Sequence, residues 1–215
     1  MKTVTHEQIA AMIDAAAARI IENHEYLSRL DSATGDGDHG TTMLRIAQAM
    51  KQTITTPPGP TIAALFEALG WNVMSVDGGS IAPLLGSWFM GMGETPAAAG
   101  ATADVAQLAA IFESGTAKLR EQTPAKPGDK TLVDALVPAV GALRSAADAG
   151  AAVDAAVTSA AEAAAAGAIA TQQLQARFGR ARNLGARTIG QQDPGATSMS
   201  LLFAGFRDAL TTVNR

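Results

Sequence analysis

Apolar residues recur at helical spacing along most of the chain, and breaks in that rhythm divide it into eight predicted helices. Thr5-His6-Glu7-Gln8 is a capping-box pattern, with Gln8 placed to reach back to the Thr5 backbone. Ile9, Met12, Ile13, Ala16, Ile20 and Leu27 follow on one face, predicting a first helix that ends near Leu30. Met43, Leu44, Ala47 and Met50 predict a second from Thr41 to about Thr53. Pro57-Pro58-Gly59-Pro60 stops it, because proline cannot continue the hydrogen-bond ladder. Ile62, Leu65, Phe66 and Leu69 mark a third over Thr61 to Ser75, and the nearly unbroken apolar run Ile81 to Met92 marks a central fourth. Leu108, Ile111, Phe112 and Leu119 place a fifth over Ala103 to Glu121. A sixth runs from after Thr131 to about Ala149, kinked at Pro138 unless that residue lies in the first turn. The alanine-rich stretch Val153 to Ala176 is a seventh, and Thr197 to Val213 closes the chain as an eighth.

Polar, glycine-bearing loops are left at Asp31–Thr42, Gly78–Ser80, Pro124–Thr131 and Arg177–Gly195, with a further loop at Gly93–Gly100. The pattern predicts no strand pair and no fixed-period repeat. Composition points the same way. Aromatic residues make up only 4% of the chain, so a core of Ala, Leu, Ile, Val and Met is expected, and Ala, Leu and Met favour helices. The segment Pro57–Pro60 is too short for a flexible linker, which predicts one domain over residues 1–215.

Chemistry concentrates in the first polar loop. Asp31, Asp36 and Asp38 bring three carboxylates into eight residues, among Gly35, Gly37 and Gly40, directly before a helix start at Thr41-Thr42. An Asx-rich turn capping the next helix would account for one or two aspartates. Three like charges held close repel strongly, and a divalent cation removes that conflict. The loop lacks the twelfth-position Glu of an EF-hand, so Mg²⁺ bridging carboxylates and phosphates fits better than Ca²⁺. His39 is ambiguous among phosphate donor, ligand, base and structural residue.

Gly78-Gly79-Ser80 is a turn by default and a second nest of phosphate-facing N–H groups at best. Gly128-Asp129-Lys130-Thr131 echoes a P-loop ending without its glycine spacing or preceding strand, so a Walker motif is rejected in favour of a capped helix start. Arg177, Arg180, Arg182 and Arg187 crowd four arginines into eleven residues; a solvated face is the default, and a phosphate-facing wall the alternative. From the residues alone the reading reaches a Mg²⁺-dependent phosphate or nucleotide site on a helical scaffold.

Other classes are excluded. The net charge is −4 and the basic residues are scattered, so no field for nucleic acid exists. Without cysteine there are no disulfides or thiolate metal sites, and a cytoplasmic location is expected. Charge precedes any apolar run at the N-terminus, which argues against a signal peptide. Ala151 to Ala170 carries Asp154 and Glu162 and reads as too weakly apolar to span a bilayer.

Five motifs occur together and in order: Leu30-Asp31, Gly35-Asp36-Gly37-Asp38-His39-Gly40, Pro127-Gly128-Asp129-Lys130-Thr131, Gly179-Arg180-Ala181, and Gly190-Gln191-Gln192-Asp193-Pro194-Gly195-Ala196. In this order, and over essentially the whole chain, they resemble the L (nucleotide-binding) subunits of dihydroxyacetone kinases. The resemblance implies an all-α, single-domain barrel of about eight helices, with the nucleotide and metal site formed by loops at one end. It implies that Asp31, Asp36 and Asp38 bind two Mg²⁺ ions. His39, Gly40, Thr41 and Thr42, with Gly79 and Ser80 after the first glycine, would contact the phosphates of ADP or ATP. Leu132, Arg180, Asp193, Pro194 and Gly195 would surround the base and sugar.

The resemblance further implies a kinase active only with a separate K subunit, which holds dihydroxyacetone or a related ketose through its own histidine. The phosphoryl donor stays open between exchanging ATP and a fixed ADP recharged by the phosphohistidine carrier (M) subunit of the phosphotransferase system. His39 follows carrier-dependent members, whereas Thr41-Thr42 follows ATP-dependent ones. Gly78-Gly79-Ser80-Ile81-Ala82-Pro83 departs from the family's usual Gly-Gly-Ala-Ser-Gly-Pro. Two other readings stand beside this one: a nucleotide-sensing module that partners a transcription regulator, and a helical protein with a structural cation.

Overall fold

Each predicted amphipathic segment folds as a helix in the computed structural model, which describes residues 1–56 and 59–212. The helices are α1 (His6–Ser32), α2 (His39–Thr55), α3 (Ile62–Met74), α4 (Ile81–Glu94), α5 (Val105–Glu121), α6 (Val133–Asp148), α7 (Val153–Ala170) and α8 (Pro194–Thr212). Each packs on the next in sequence and α8 packs back on α1, so the helices close into an all-α barrel. Closure is tight: a Cβ on Gly205 of α8 would lie 2.3 Å from the Ala16 Cα of α1.

Several features differ from the sequence reading. A short antiparallel ribbon joins β1 (Thr3–Thr5) to β2 (Thr102–Asp104), with Val4 opposite Ala103, where no strand pair is expected. Three-residue strands far apart in the chain carry no period to detect. They deliver the chain into the capping boxes Thr5–Gln8 of α1 and Asp104–Gln107 of α5. Helix α7 ends at Ala170 rather than Ala176 and passes into a 3₁₀ turn, Thr171–Gln173. There the Thr171 hydroxyl donates to the Ala168 carbonyl (2.6 Å) and accepts the Asp193 N–H (2.9 Å), so tertiary contact ends the helix where no breaker stands in the sequence.

Two helices begin earlier than expected, α2 at His39 and α8 at Pro194. The predicted arrest at Pro57-Pro58 and the predicted helix end at Val213 lie outside the described residues. Short 3₁₀ segments also occupy two predicted loops, at Pro96–Ala98 and Arg180–Thr188.

Pro138 lies inside α6, past its first turn, and the helix runs on through it. Having no N–H, it cannot bond the Asp134 carbonyl four residues back. That oxygen instead faces Gly167 of α7, where a Cβ would come within 2.2 Å of it.

The scarce aromatics are concentrated rather than absent from the core. Trp88 is fully buried, with Phe89, Phe112, Phe203 and Phe206 at ring separations of 5.1, 5.7, 6.1 and 6.4 Å. Aliphatic residues and alanines from every helix surround this centre.

The span Val153–Gln173 does reach the length and apolarity of a membrane-crossing helix, with mean hydropathy 1.2. In the barrel it packs between α6 and α8, and its Val153, Ala156, Val157, Ala160, Ala161 and Ala164 are buried.

Candidate functional site

Helices that alternate in direction around a ring bring every second connection to the same end. Here those connections are α1–α2, α3–α4, α5–α6 and α7–α8, the four polar loops of the sequence, and together they line one cleft. It is an open cleft, with about 820 Å³ of empty space counting its open side.

The acidic wall grows out of the last turn of α1. The Asp31 carbonyl accepts the N–H groups of Thr34 (2.9 Å) and Gly35 (2.5 Å), folding the chain back on itself. Oδ2 of Asp31 also accepts the His39 N–H at 3.3 Å. Asp31, Asp36 and Asp38 each present a carboxylate oxygen within 4.8 Å of the others, close enough to share hard divalent cations. In the protein alone the Arg180 guanidinium bridges this wall: it pairs with Asp36, and its Nη1 lies 3.7 Å from Asp38.

His39 opens α2 and reaches Ser198 of α8, Nε2 to Oγ at 3.2 Å. The Ser198 hydroxyl donates to the Gly195 carbonyl (2.9 Å), so the imidazole N–H is the donor in the His39–Ser198 contact. Burial pushes the His39 pKa down while the charges of Asp31 and Asp38 push it back up; the net shift is downward, so the ring is mainly neutral at pH 7. One turn on, Thr42 is buried and its hydroxyl has no hydrogen-bond partner among the described residues. It lies under Gly78, where a Cβ would come within 2.5 Å of it. Gly78 and Gly79 both have positive φ, 131° and 51°, and hand the chain to Ser80 at the head of α4.

The opposite wall combines Leu132, Phe178 and Arg180 with the turn Asp193-Pro194-Gly195. Asp193 caps α8 by accepting the Ala196 N–H at 2.7 Å, with Pro194 at the first helical position, where its missing N–H costs nothing. The Asp193 carboxyl is ringed by protein, although part of the residue reaches the cleft. Burial pushes its pKa up to about 7, against the lowering effects of the Ala196 N–H and the Lys130 charge.

Twelve of the sequence candidates therefore line one cleft: Asp31, Asp36, Asp38, His39, Thr42, Gly79, Ser80, Leu132, Arg180, Asp193, Pro194 and Gly195. Gly40 and Thr41 are not brought to its wall. Thr41 is exposed, and Gly40 is buried where α2 crosses α1. A Cβ on Gly40 would sit 1.9 Å from the His24 carbonyl oxygen and 2.6 Å from the Ser28 nitrogen. Gly40→Ala should therefore force the helices apart at the root of the acidic loop and cost about 1–3 kcal/mol, read as a lower urea midpoint. An unchanged midpoint would refute that crossing.

Lys130 and Ser198 were not among the candidates. Lys130 sat inside a motif set aside as a helix cap, which it also is: Asp134 accepts the N–H groups of Gly128 (2.6 Å) and Thr131 (2.7 Å). Ser198 had no sequence signal, since its contact with His39 spans 159 positions.

With this geometry in hand, the comparisons with known proteins are specific. A profile of the DAK2 domain matches residues 33–208. The chain is 35% identical over 185 residues to the ADP-binding subunit DhaL of PEP-dependent dihydroxyacetone kinase 1 from Listeria innocua, covering 86% of this chain and 87% of that one. It is 34% identical to the ADP-binding subunit DhaL of the PEP-dependent dihydroxyacetone kinase of Escherichia coli, covering 83% and 84%. Among solved structures, the dihydroxyacetone kinase of C. freundii in complex with AMP-PNP and Mg²⁺ superposes with TM-score 0.71 at 23% identity. That match covers 97% of this chain and 34% of the kinase, and carries the fold alone.

Proposed function

The chain belongs to the DAK2-domain family, and on that footing we propose that it is the Mg-nucleotide-binding subunit of a dihydroxyacetone-type kinase. In this reading residues 1–215 act as one nucleotide-binding domain, in the cytoplasm, beside a K subunit that holds the ketose. The observation that carries it is the convergence of three carboxylates with the starts of α2 and α4 in one cleft.

The donor set fits the implied metal. Asp31, Asp36 and Asp38 are hard oxygen ligands that need a counter-charge, and Arg180 supplies one in the protein alone. They would hold Mg²⁺, two ions in this proposal, and bound Mg²⁺ neutralises charge on phosphate oxygens. The orphaned hydroxyl of Thr42 is a donor awaiting an acceptor, as a phosphate would provide. A neutral His39 ring, oriented by Ser198, adds no positive charge of its own to compete with the metal. Ser80 and the start of α4, which carries no side-chain cap, complete the phosphate end. Leu132 and Phe178 supply apolar cover for the base.

The chain offers no nucleophile to the reaction. It fixes the transferring phosphoryl group, and phosphoryl transfer rests mainly on such positioning and charge neutralisation. The acceptor hydroxyl belongs to dihydroxyacetone or a related ketose on the partner, and the donor is ATP or a phosphohistidine carrier that recharges bound ADP.

The test combines the purified chain with a K subunit, Mg²⁺ and dihydroxyacetone, supplying either ATP or the phosphorylated carrier. Dihydroxyacetone phosphate should form with one of the two donors; no turnover with either would overturn the proposal. Native mass spectrometry of gently isolated protein separates the donors, because copurifying ADP is the expected mark of the carrier-dependent route.

A further inference from the structure

Among the described residues, Lys130 is the one non-glycine residue with a left-handed backbone, φ 60°. Such a conformation persists in a bulky residue only where surrounding structure enforces it. The residue is 3% exposed, at the floor of the cleft. Its ammonium donates to two backbone carbonyls, Thr171 (2.7 Å) and Gln191. Thr171 follows the last residue of α7, and Gln191 lies two residues before the Asp193 cap of α8. Neither carbonyl belongs to an α-helical ladder, so a side chain from the α5–α6 loop fastens the two ends of the long α7–α8 connection. Thr171 serves both sides of this joint: its carbonyl takes Lys130 while its hydroxyl takes the Asp193 N–H. The buried charge faces Asp193 and Asp134, and Asp134 is itself held by the Gly128 and Thr131 amides. Two residues along from Lys130 stands Leu132, and a Cβ on Gly195 would lie 3.4 Å from the Leu132 nitrogen. The same joint therefore sets the gap between Leu132 and the Asp193–Gly195 turn.

We propose that Lys130 is a positioning residue that holds Leu132 and the Asp193–Gly195 turn at the spacing the nucleoside needs. The inference rests on the nucleotide reading above and deepens it. The acidic wall, built from α1 and the start of α2, meets the α7–α8 connection away from this joint, through Arg180 and through the His39–Ser198 contact. Lys130 thus acts directly on the side that recognises base and sugar, and reaches the metal and phosphate end only through intervening residues.

The test compares Mg²⁺-ADP with Mg²⁺-pyrophosphate, which lacks base and sugar, by isothermal titration on the whole chain. Lys130→Met keeps the stem and removes the charge and its donors. ADP affinity should fall at least tenfold while pyrophosphate affinity stays within twofold. Lys130→Gln retains a shorter N–H donor and should fall between Lys130→Met and the unaltered protein; it carries the test if Lys130→Met does not fold. A parallel loss of both ligands would mark a merely structural lysine and overturn the inference, as would undiminished ADP binding by a folded variant. Failure of the unaltered chain to bind ADP would instead overturn the nucleotide reading, and this inference with it.

Discussion

Asp36→Asn is expected to abolish metal-dependent nucleotide binding while leaving the fold intact. Asparagine preserves the volume but removes one of three converging charges and the nearer of the two carboxylates that pair with Arg180. Losing a charged ligand from a site of this kind should weaken Mg²⁺-ADP by roughly 100-fold or more, about 3 kcal/mol. Stability should move little. The Arg180 side chain is 65% exposed and Asp36 43%, and exposed ion pairs are worth at most about 1 kcal/mol after screening by solvent. Relief of repulsion among the remaining carboxylates offsets part of that. Calorimetric titration with Mg²⁺-ADP beside a urea melt separates the two effects. A variant that retains ADP affinity, or that unfolds, would remove the metal assignment.

The second large effect is expected at Trp88, where truncation should threaten the whole barrel. The indole touches four phenylalanines drawn from α4, α5 and α8, so Trp88→Ala opens a cavity that no single helix can collapse to fill. Large-to-small substitutions of this kind cost about 3–5 kcal/mol, a large part of a typical domain's total stability. Trp88→Phe is the informative companion. The Trp88 Nε1 is buried without a hydrogen-bond partner among the described residues, so phenylalanine gives up packing volume but also removes an unsatisfied donor. Its urea midpoint should lie much nearer the unaltered protein than that of Trp88→Ala. Equal losses for the two would refute the cavity account, because they remove very different packing volumes.

The helices were legible because their information is local. Apolar residues at period 3.6 and a capping box before α1 are visible without knowing what packs where. The acidic loop was legible for a related reason: three aspartates and their glycines sit within a few positions of one another. What escaped was decided across the chain. The β1–β2 ribbon is too short to show alternation. The end of α7 is set by a threonine bonding to Asp193, although the alanine run beyond Ala163 shows no such stop. Gly40 looked like part of a phosphate-binding turn but is spent on the crossing of α1 and α2. Lys130 looked like a helix cap, and its second role depends on carbonyls 41 and 61 positions away.

The seam between α1 and α8 sets the order in which the protein can be completed. Helices α2 to α7 each pack mainly on a neighbour in sequence, whereas α1 and α8 find each other across the length of the barrel. Joining segments so distant carries the largest loop-closure entropy in the fold and comes late in assembly. Helix α1 is made before α8, so its apolar flank faces solvent until α8 has been synthesised. Because the two helices approach as closely as Gly205 and Ala16 allow, the space left for α8 admits no bulkier residue at that point. The growing barrel thus carries an unfinished surface until its last helix is made, the interval in which a chaperone has something to hold.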